Sequence, residues 1–394
     1  MGDQEGTGLL IEKAKKIAPV IRKHAAEAER ERHLSREVVD AMLELGLHSM
    51  TRPRSFGGLE TDPVTMFRVV EEIARHDSAA AWNLQLSLGI YPLLAWLPDE
   101  GASEILNSHP AAVLGGSFSP THSAIAVDGG YRVSGQWSFV SGAHHCRWLL
   151  FLLQVRDGDK LRVSEQGIPL QWFMVVPAES AKIVDTWNTL GMRGTGSHDV
   201  LITDQFIPER RTALVQPLET PGEAFQSALY RLTLWVSVAL LAAPALGTAR
   251  AAIDGLIELA RAKTPNFTPS TLACRQVAQR QVAEAEATLG AGRAYLFETF
   301  EENWARATAG EPITTAHKIK MQLATSHAMA CAARAIDLVH TTAGSSAIRN
   351  ENMFQQHFRD VHTMTQHAFA SASHYESAGA LMFGAETDWG FFAL

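Results

Sequence analysis

The spacing of apolar residues divides the chain into regions of different secondary structure. Between residues 8 and 50 apolar positions recur every three or four residues, and Ser35 followed by Glu37 suits the start of a second helix. Residues 55 to 97 begin with a Gly-Gly turn and then continue the helical spacing over two further segments. The pattern predicts an N-terminal helical domain over residues 1–110.

The period changes after this domain. The stretch "AIAVDGGYRVSGQWSFVSGAHHCRWLLFLLQV" alternates short apolar runs with Asp-Gly-Gly and Ser-Gly turns, which is typical of β-hairpins. Similar runs continue to Pro208 and predict a middle β domain over residues 111–215. Long alanine-rich helical segments follow and predict a C-terminal helical bundle over residues 216–394, because small side chains suit close helix packing and subunit association.

Composition excludes several classes of protein. The 394 residues carry a net charge of −8, which argues against general nucleic-acid binding. The cysteines, Cys146, Cys274 and Cys331, are scattered and indicate reduced thiols rather than disulfides or zinc ligands. We expect no apolar run to approach the roughly 18 residues of a membrane helix, and the N-terminus lacks the order of a secretory signal. We therefore expect a cytoplasmic protein without membrane partners.

A glycine-rich turn, "RGTGS", lies between two strand-like runs. It lacks the spacing of nucleotide-binding loops, and it leads into a strand rather than a helix. Taken alone it indicates only a tight structural turn.

Several ordered motifs give this turn a context. "GMRGTGSHDVLITDQFIP", "WSFVSG" and "FRDVHTMTQH", with Ala343-Gly344 before the last, resemble the corresponding motifs of the acyl-CoA dehydrogenase superfamily. The resemblance spans nearly the whole chain. It implies a mainly α fold with a central β-barrel domain, a C-terminal four-helix bundle, a flavin between barrel and bundle, and a homotetramer.

The chain departs from the dehydrogenases at the catalytic base. Their glutamate would fall at Ala368, beside His367, so abstraction of an α-proton from an acyl thioester has no evident base. With a histidine at this position, together with Ser141 and the "RGTGS" turn, the chain resembles the flavin-dependent monooxygenases of the superfamily, which act on phenols, dibenzothiophene or indoles. The resemblance implies a two-component system in which a separate flavin reductase supplies reduced FMN, or FADH2, and O2 reacts to form a C4a-hydroperoxyflavin.

The resemblance also implies roles for individual residues. Ser141 would lie near flavin N5 and His367 would donate or accept a proton, and these are the predicted catalytic residues. No metal site is predicted. The predicted cofactor-binding residues are Trp82, Ser117, Ser119, Phe139, Ser141, Ser197, Lys263 and Gly344. The predicted substrate-pocket residues are His145, His362 and Trp235.

Each role has a structural alternative. Ser141 fits a plain turn residue, His367 a helix histidine, and Trp82 a core tryptophan. Ser197 and His198 either reach the cofactor or cap the turn. His144 and His145, as neighbours on a strand, would point to opposite faces. His362 would lie about 140° around a helix from His367, which argues against a shared metal.

The substrate prediction rests on an absence. The segment "NLQLSLGIYPLLAW" after Trp82 lacks the histidine that phenol-hydroxylating relatives carry there. Electron-rich heteroaromatics such as indoles, including indole-3-acetate, are therefore favoured over phenols. The alternatives are a true acyl-CoA dehydrogenase with FAD and a non-catalytic oligomeric member of the fold.

Overall fold

The computed structural model describes residues 2–109, 112–119, 122–387 and 389–394. Its first part is helical, as predicted, and the predicted domain boundary at residues 110 and 111 lies outside the described residues. Carboxylates begin two of the helices: Asp62 accepts the Thr65 N–H at 2.9 Å, and Asp77 accepts the Ala80 N–H at 2.7 Å. Ser35 occupies the predicted N-cap, although its side chain makes no capping bond. The helices are α1 (Gly2–Glu31), α2 (Arg36–Glu44), α3 (Pro63–Ala74), α4 (Ser78–Ile90) and α5 (Asp99–Asn107).

A mixed sheet follows these helices. Its pairing order is β7-β8-β3-β2-β4-β6-β9, with β1 and β5 both paired to β4. The pairs β1–β4 and β2–β4 are parallel and the others antiparallel. Because β7 and β9 end the pairing order, the sheet is open, and the predicted closed barrel is not confirmed. The strands are β1 (Leu114–Ser117), β2 (Ser123–Val127), β3 (Gly130–Trp137), β4 (Trp148–Asp157), β5 (Lys160–Leu161), β6 (Trp172–Pro177), β7 (Lys182–Val184), β8 (Asp199–Pro208) and β9 (Thr212–Leu214).

The central strand β4 is buried on both faces, which explains its unbroken apolar run "WLLFLL". Successive side chains of a strand point to opposite faces, and here the two faces belong to different cores. Leu149, Phe151 and Leu153 pack in the core of the sheet. Trp148, Leu150 and Leu152 pack with the helices. The sheet is therefore fixed against the helical layers.

The last part of the chain is a bundle built on long, closely packed helices. Gly247 of α8 approaches α3 so closely that a Cβ there would lie 2.2 Å from the carbonyl oxygen of Glu71. Gly292 of α9 faces Cys331 of α10 in the same way. The helices are α6 (Ala228–Arg231), α7 (Trp235–Leu240), α8 (Ala242–Ala262), α9 (Gln276–Ala309), α10 (Thr315–Ala343), α11 (Met353–Met364) and α12 (His374–Met382).

Within the described part of the chain, one helical segment is apolar enough to cross a membrane. An 18-residue window of Trp235–Ala262 has a mean hydropathy of 1.6, which corrects the expectation that no run approaches this length. Since 83% of the window is buried inside the protein, the segment has the burial of a core helix.

Candidate active site

Two turns meet where the sheet faces the helices. One connects β3 to β4, and the other precedes β8. The Gly142 N–H donates to the Thr195 carbonyl at 2.9 Å, and the Val140 N–H donates to the His198 carbonyl at 3.1 Å. Phe139 has a φ of 64°, which is unusual for a residue with a side chain, and 70% of its surface is exposed. The contact between the turns fixes Ser141 at their junction.

Three buried hydroxyls form a chain at this junction. Ser141 Oγ lies 2.6 Å from Ser197 Oγ, which lies 2.6 Å from Thr195 Oγ1. Thr195 donates to the Met192 carbonyl at 2.7 Å. The structure thus brings together two predicted cofactor-binding residues, Ser141 and Ser197, through a direct hydrogen bond.

Two residues of α11, Arg359 and Asp360, hydrogen-bond to the segment around the glycine-rich turn. Asp360, which is 1% exposed, accepts the Met192 N–H at 2.6 Å and the Ser78 hydroxyl at 2.5 Å. Burial raises the pKa of Asp360 to about 6. Arg359 donates to the Leu190 carbonyl and to Glu29. The two motifs around residues 193 and 359 are therefore parts of one contact.

His367 lies beside Trp82. Their ring centroids are 5.4 Å apart in an edge contact. Helix α11 ends at Met364, so His367 follows the helix, and the predicted helical angle between His362 and His367 is wrong. His367 Nδ1 accepts the Phe369 N–H at 3.3 Å, which leaves the ring proton on Nε2. Burial lowers the pKa of His367 to about 4, so the ring is neutral at pH 7.

A small cavity of about 10 Å³, roughly the space of one water, adjoins Ser141 and Gly142. His48 and Asn83 line it, and neither side chain has a hydrogen-bond partner among the described residues. They are 2% and 8% exposed. Most of the other lining side chains are apolar, so these two polar groups face a narrow, largely apolar space beside Ser141.

Two further predicted cofactor-binding residues lie near these turns. Ser117, at the end of β1, donates to the Ser138 carbonyl at 2.9 Å, directly before Phe139. Ser119 is half-buried just beyond β1. Between them, the Phe118 ring lies 6.2 Å from Phe369. The end of β1 is therefore joined to the segment that carries His367.

Lys263 and Gly344 lie together at the ends of α8 and α10. The Lys263 ammonium donates to the Ala343 carbonyl at 2.7 Å and to Ser346 Oγ at 2.9 Å. These bonds cap α10.

Trp235 is 1% exposed, donates to the Leu394 carbonyl at 3.2 Å and stacks on Phe392. In this structure its contacts are those of a core residue.

The remaining predicted histidines make contacts within the protein. His145 Nε2 contacts the Leu34 carbonyl at 2.9 Å, and His362 Nε2 contacts Asp337 of α10 at 2.9 Å. His144 and His145 lie in a turn rather than on a strand, which corrects their predicted opposite orientation. His198 accepts two backbone N–H groups, at 3.2 Å each, and so caps the turn.

The described part of the chain contains no cluster of three or more histidine, cysteine or acidic side chains that could hold a metal ion.

Sequence reasoning missed Thr195, Asn83 and Phe369 as parts of the site. Each is next to, or two residues from, a predicted residue, so their position beside Ser197, Trp82 and His367 was the available signal.

Comparison with known proteins identifies the family to which this fold belongs. The family model "Acyl-CoA dehydrogenase, N-terminal domain" matches residues 10–111, and "Acyl-CoA dehydrogenase, C-terminal domain" matches residues 239–372. The indole-3-acetate monooxygenase of Pseudomonas putida is 33% identical, over 92% of this chain and 90% of the relative. The flavin-dependent monooxygenase oxygenase subunit HsaA of Rhodococcus jostii is 26% identical, over 89% and 92%.

A solved structure extends the comparison. XiaF from Streptomyces sp., in complex with FADH2 and glycerol, superposes with a TM-score of 0.89 at 25% identity, covering 98% of this chain and 97% of XiaF. The chain therefore belongs to the acyl-CoA dehydrogenase superfamily, in its branch of flavin-dependent monooxygenase oxygenase components.

Proposed function

We propose that this protein is the oxygenase component of a two-component monooxygenase that uses reduced FMN and O2 to hydroxylate a small aromatic compound, with an indole-type substrate such as indole-3-acetate. The observation that carries the proposal is the 33% identity to an indole-3-acetate monooxygenase over 92% of the chain. Reduced flavin, when bound, supplies the oxygen chemistry, and the protein supplies position and electrostatics.

The residues around Ser141 fit a flavin. Ser141 is buried, neutral and ready to accept a hydrogen bond, and Phe139 offers an exposed aromatic surface two residues away. Ser117, Ser119 and Ser197 would complete the polar surroundings of the ring. The apolar, narrow surroundings of Asn83 restrict water near Ser141, which favours oxygen transfer over loss of hydrogen peroxide.

The roles of His367 and Ala368 follow from their neighbours. With its proton on Nε2 and a lowered pKa, His367 would act at neutral pH as an uncharged donor that holds a proton near the reacting atoms. Ala368 provides no carboxylate, so a dehydrogenase reaction lacks its base at this position. Trp82 would keep the His367 ring in place through its edge contact.

The proposal includes properties that follow from the family. A separate flavin reductase would supply reduced FMN or FADH2. The three domains would have the limits expected from the sequence, and the protein would work as a homotetramer in the cytoplasm. Lys263 and Gly344 would then lie toward the flavin phosphate, while His145 and His362 would border the substrate pocket.

Turnover with a defined electron source tests this function. The protein would be mixed with FMN, NADH, a generic flavin reductase and ¹⁸O2, in parallel with indole-3-acetate, indole, a phenol and a thiophene. We expect one atom of ¹⁸O in the product from an indole substrate. Tightly bound yellow FAD, with dye reduction that depends on an acyl-CoA, would instead establish the dehydrogenase alternative.

A further inference from the structure

We propose that Ser197 and Thr195 are positioning residues that turn the proton of Ser141 away from the flavin, so that Ser141 can only accept a hydrogen bond there. The inference rests on the proposed function, because it concerns the flavin expected beside Ser141. Sequence motifs single out Ser141, but the direction of its proton depends on residues 54 and 56 positions later in the chain.

The direction follows from counting protons along the hydroxyl chain. A carbonyl oxygen has no proton, so the 2.7 Å contact between Thr195 Oγ1 and the Met192 carbonyl uses the proton of Thr195. The 2.6 Å contact between Thr195 and Ser197 must then use the proton of Ser197. The 2.6 Å contact between Ser197 and Ser141 must use the proton of Ser141.

Burial of the three hydroxyls maintains this direction of the hydrogen bonds. Ser141, Ser197 and Thr195 are 8%, 4% and 1% exposed, so bulk water has little access to their protons. The carbonyl that ends the chain belongs to Met192, whose own N–H is held by Asp360 at 2.6 Å. Linked hydrogen bonds polarise one another, so the anchored end sets the direction for all three hydroxyls.

An acceptor at Ser141 distinguishes the two redox forms of a flavin. Reduced flavin has a hydrogen on N5 and can donate it to Ser141 Oγ, whereas oxidised flavin has only a lone pair at N5. Two acceptors that face each other make no bond and lose their contact with water. The chain therefore favours binding of reduced FMN and release of oxidised FMN, by about tenfold for one hydrogen bond.

Binding measurements test the inference without turnover. Dissociation constants for oxidised FMN, and for reduced FMN under anaerobic conditions, would be measured for the wild type and for Ser197→Ala. The variant frees the Ser141 proton to donate to oxidised N5. We expect the preference for reduced FMN to fall by about tenfold, mainly through tighter binding of oxidised FMN.

Matched variants separate orientation from general disruption. Thr195→Val should also reduce the preference, whereas Thr195→Ser keeps the hydroxyl and should restore it. Ser141→Ala should weaken reduced FMN without tightening oxidised FMN. Ser180→Ala is the control, because Ser180 donates to the Pro177 carbonyl in a different turn of the sheet. Thermal unfolding of each variant would verify that it is folded.

The outcomes distinguish this inference from the proposed function. If the wild type binds reduced FMN and the folded Ser197→Ala and Thr195→Val variants keep its preference, the orienting role is wrong and the proposed function stands. If the wild type binds neither form of FMN and neither form of FAD, both are wrong.

Discussion

The carboxylate of Asp360 accepts the backbone N–H of Met192 at 2.6 Å, across 168 residues of sequence. Met192 has a φ of 54°, in the left-handed region, and its carbonyl accepts the hydroxyl of Thr195. The backbone of one residue, Met192, thus links α11 to the hydroxyl chain that ends at Ser141. The C-terminal bundle thereby sets the geometry of a turn that belongs to the sheet.

Removal of the Asp360 carboxylate should destabilise the protein. Asp360→Ala would leave the Met192 N–H and the Ser78 hydroxyl buried without their acceptor, at a cost of about 3 kcal/mol in the free energy of unfolding. Asp360→Asn should cost less, because its amide oxygen can accept the N–H while its amide nitrogen donates to Ser78. Urea unfolding measures both, with exposed Asp128→Ala as the control. An Asp360→Ala variant as stable as the wild type would contradict this account.

His367 should act without becoming charged. Because burial lowers its pKa to about 4, the hydroxylation rate should show no inflection from His367 between pH 5 and 8. His367→Ala should lower product formed per reduced FMN by about 100-fold, at the lower end of the effect of a positioned proton donor. His367→Gln, which keeps an N–H donor, should recover part of this loss. An inflection near pH 6.5 that disappears in His367→Gln would show that a charged imidazole takes part.

The sequence predicts those features that depend on local patterns. Helical spacing and alternation reveal the order helix, sheet, helix, and the turn chemistry marks Ser141 and Gly142. The end of α11 could not be predicted, because no glycine or proline follows Met364 before Ser371. The local pattern therefore predicts that the helix continues through His367, and the helical angle between His362 and His367 follows from that prediction.

Long-range pairing limits the prediction in a second way. Alternating apolar residues predict strands but not whether β7 pairs with β9, so an open sheet and a closed barrel have the same sequence pattern. The contact of Ser141 with Ser197 likewise joins two turns 56 residues apart. Resemblance to a family suggested both residues, but only the structure gives the hydroxyl order between them.

His48 should make the protein sensitive to acid. Burial, with a smaller effect of His145 across the same cavity, lowers the pKa of His48 from 6.5 to about 4. The unfolded chain therefore binds a proton that the folded protein does not, and stability should be lost as the pH falls from about 6.5 to about 4. The loss is at most about 1.4 kcal/mol per pH unit.

Replacement of His48 provides the test. His48→Leu should make the urea midpoint depend less steeply on pH in this range, with other buried histidines such as His367 accounting for the remaining slope. By removing two unpaired nitrogens, it should also raise stability at pH 7 by about 1 kcal/mol. His327→Leu, on the exposed side of α10, is the control for replacing a histidine by leucine outside the cavity. An unchanged slope in His48→Leu would mean that other groups cause the acid sensitivity.

Two glycines of α9 should respond to alanine in opposite directions. A Cβ on Gly292 would lie 2.6 Å from the Cβ of Cys331, so Gly292→Ala must push α9 and α10 apart and should cost about 1 to 3 kcal/mol. Gly290, two residues earlier, has nothing within 4 Å of such a Cβ. Gly290→Ala should therefore stabilise the helix by up to about 1 kcal/mol, the difference in helix propensity. Thermal and urea unfolding of the two variants measure both effects. If Gly292→Ala were as stable as Gly290→Ala, the close contact of α9 with α10 would not exist in solution.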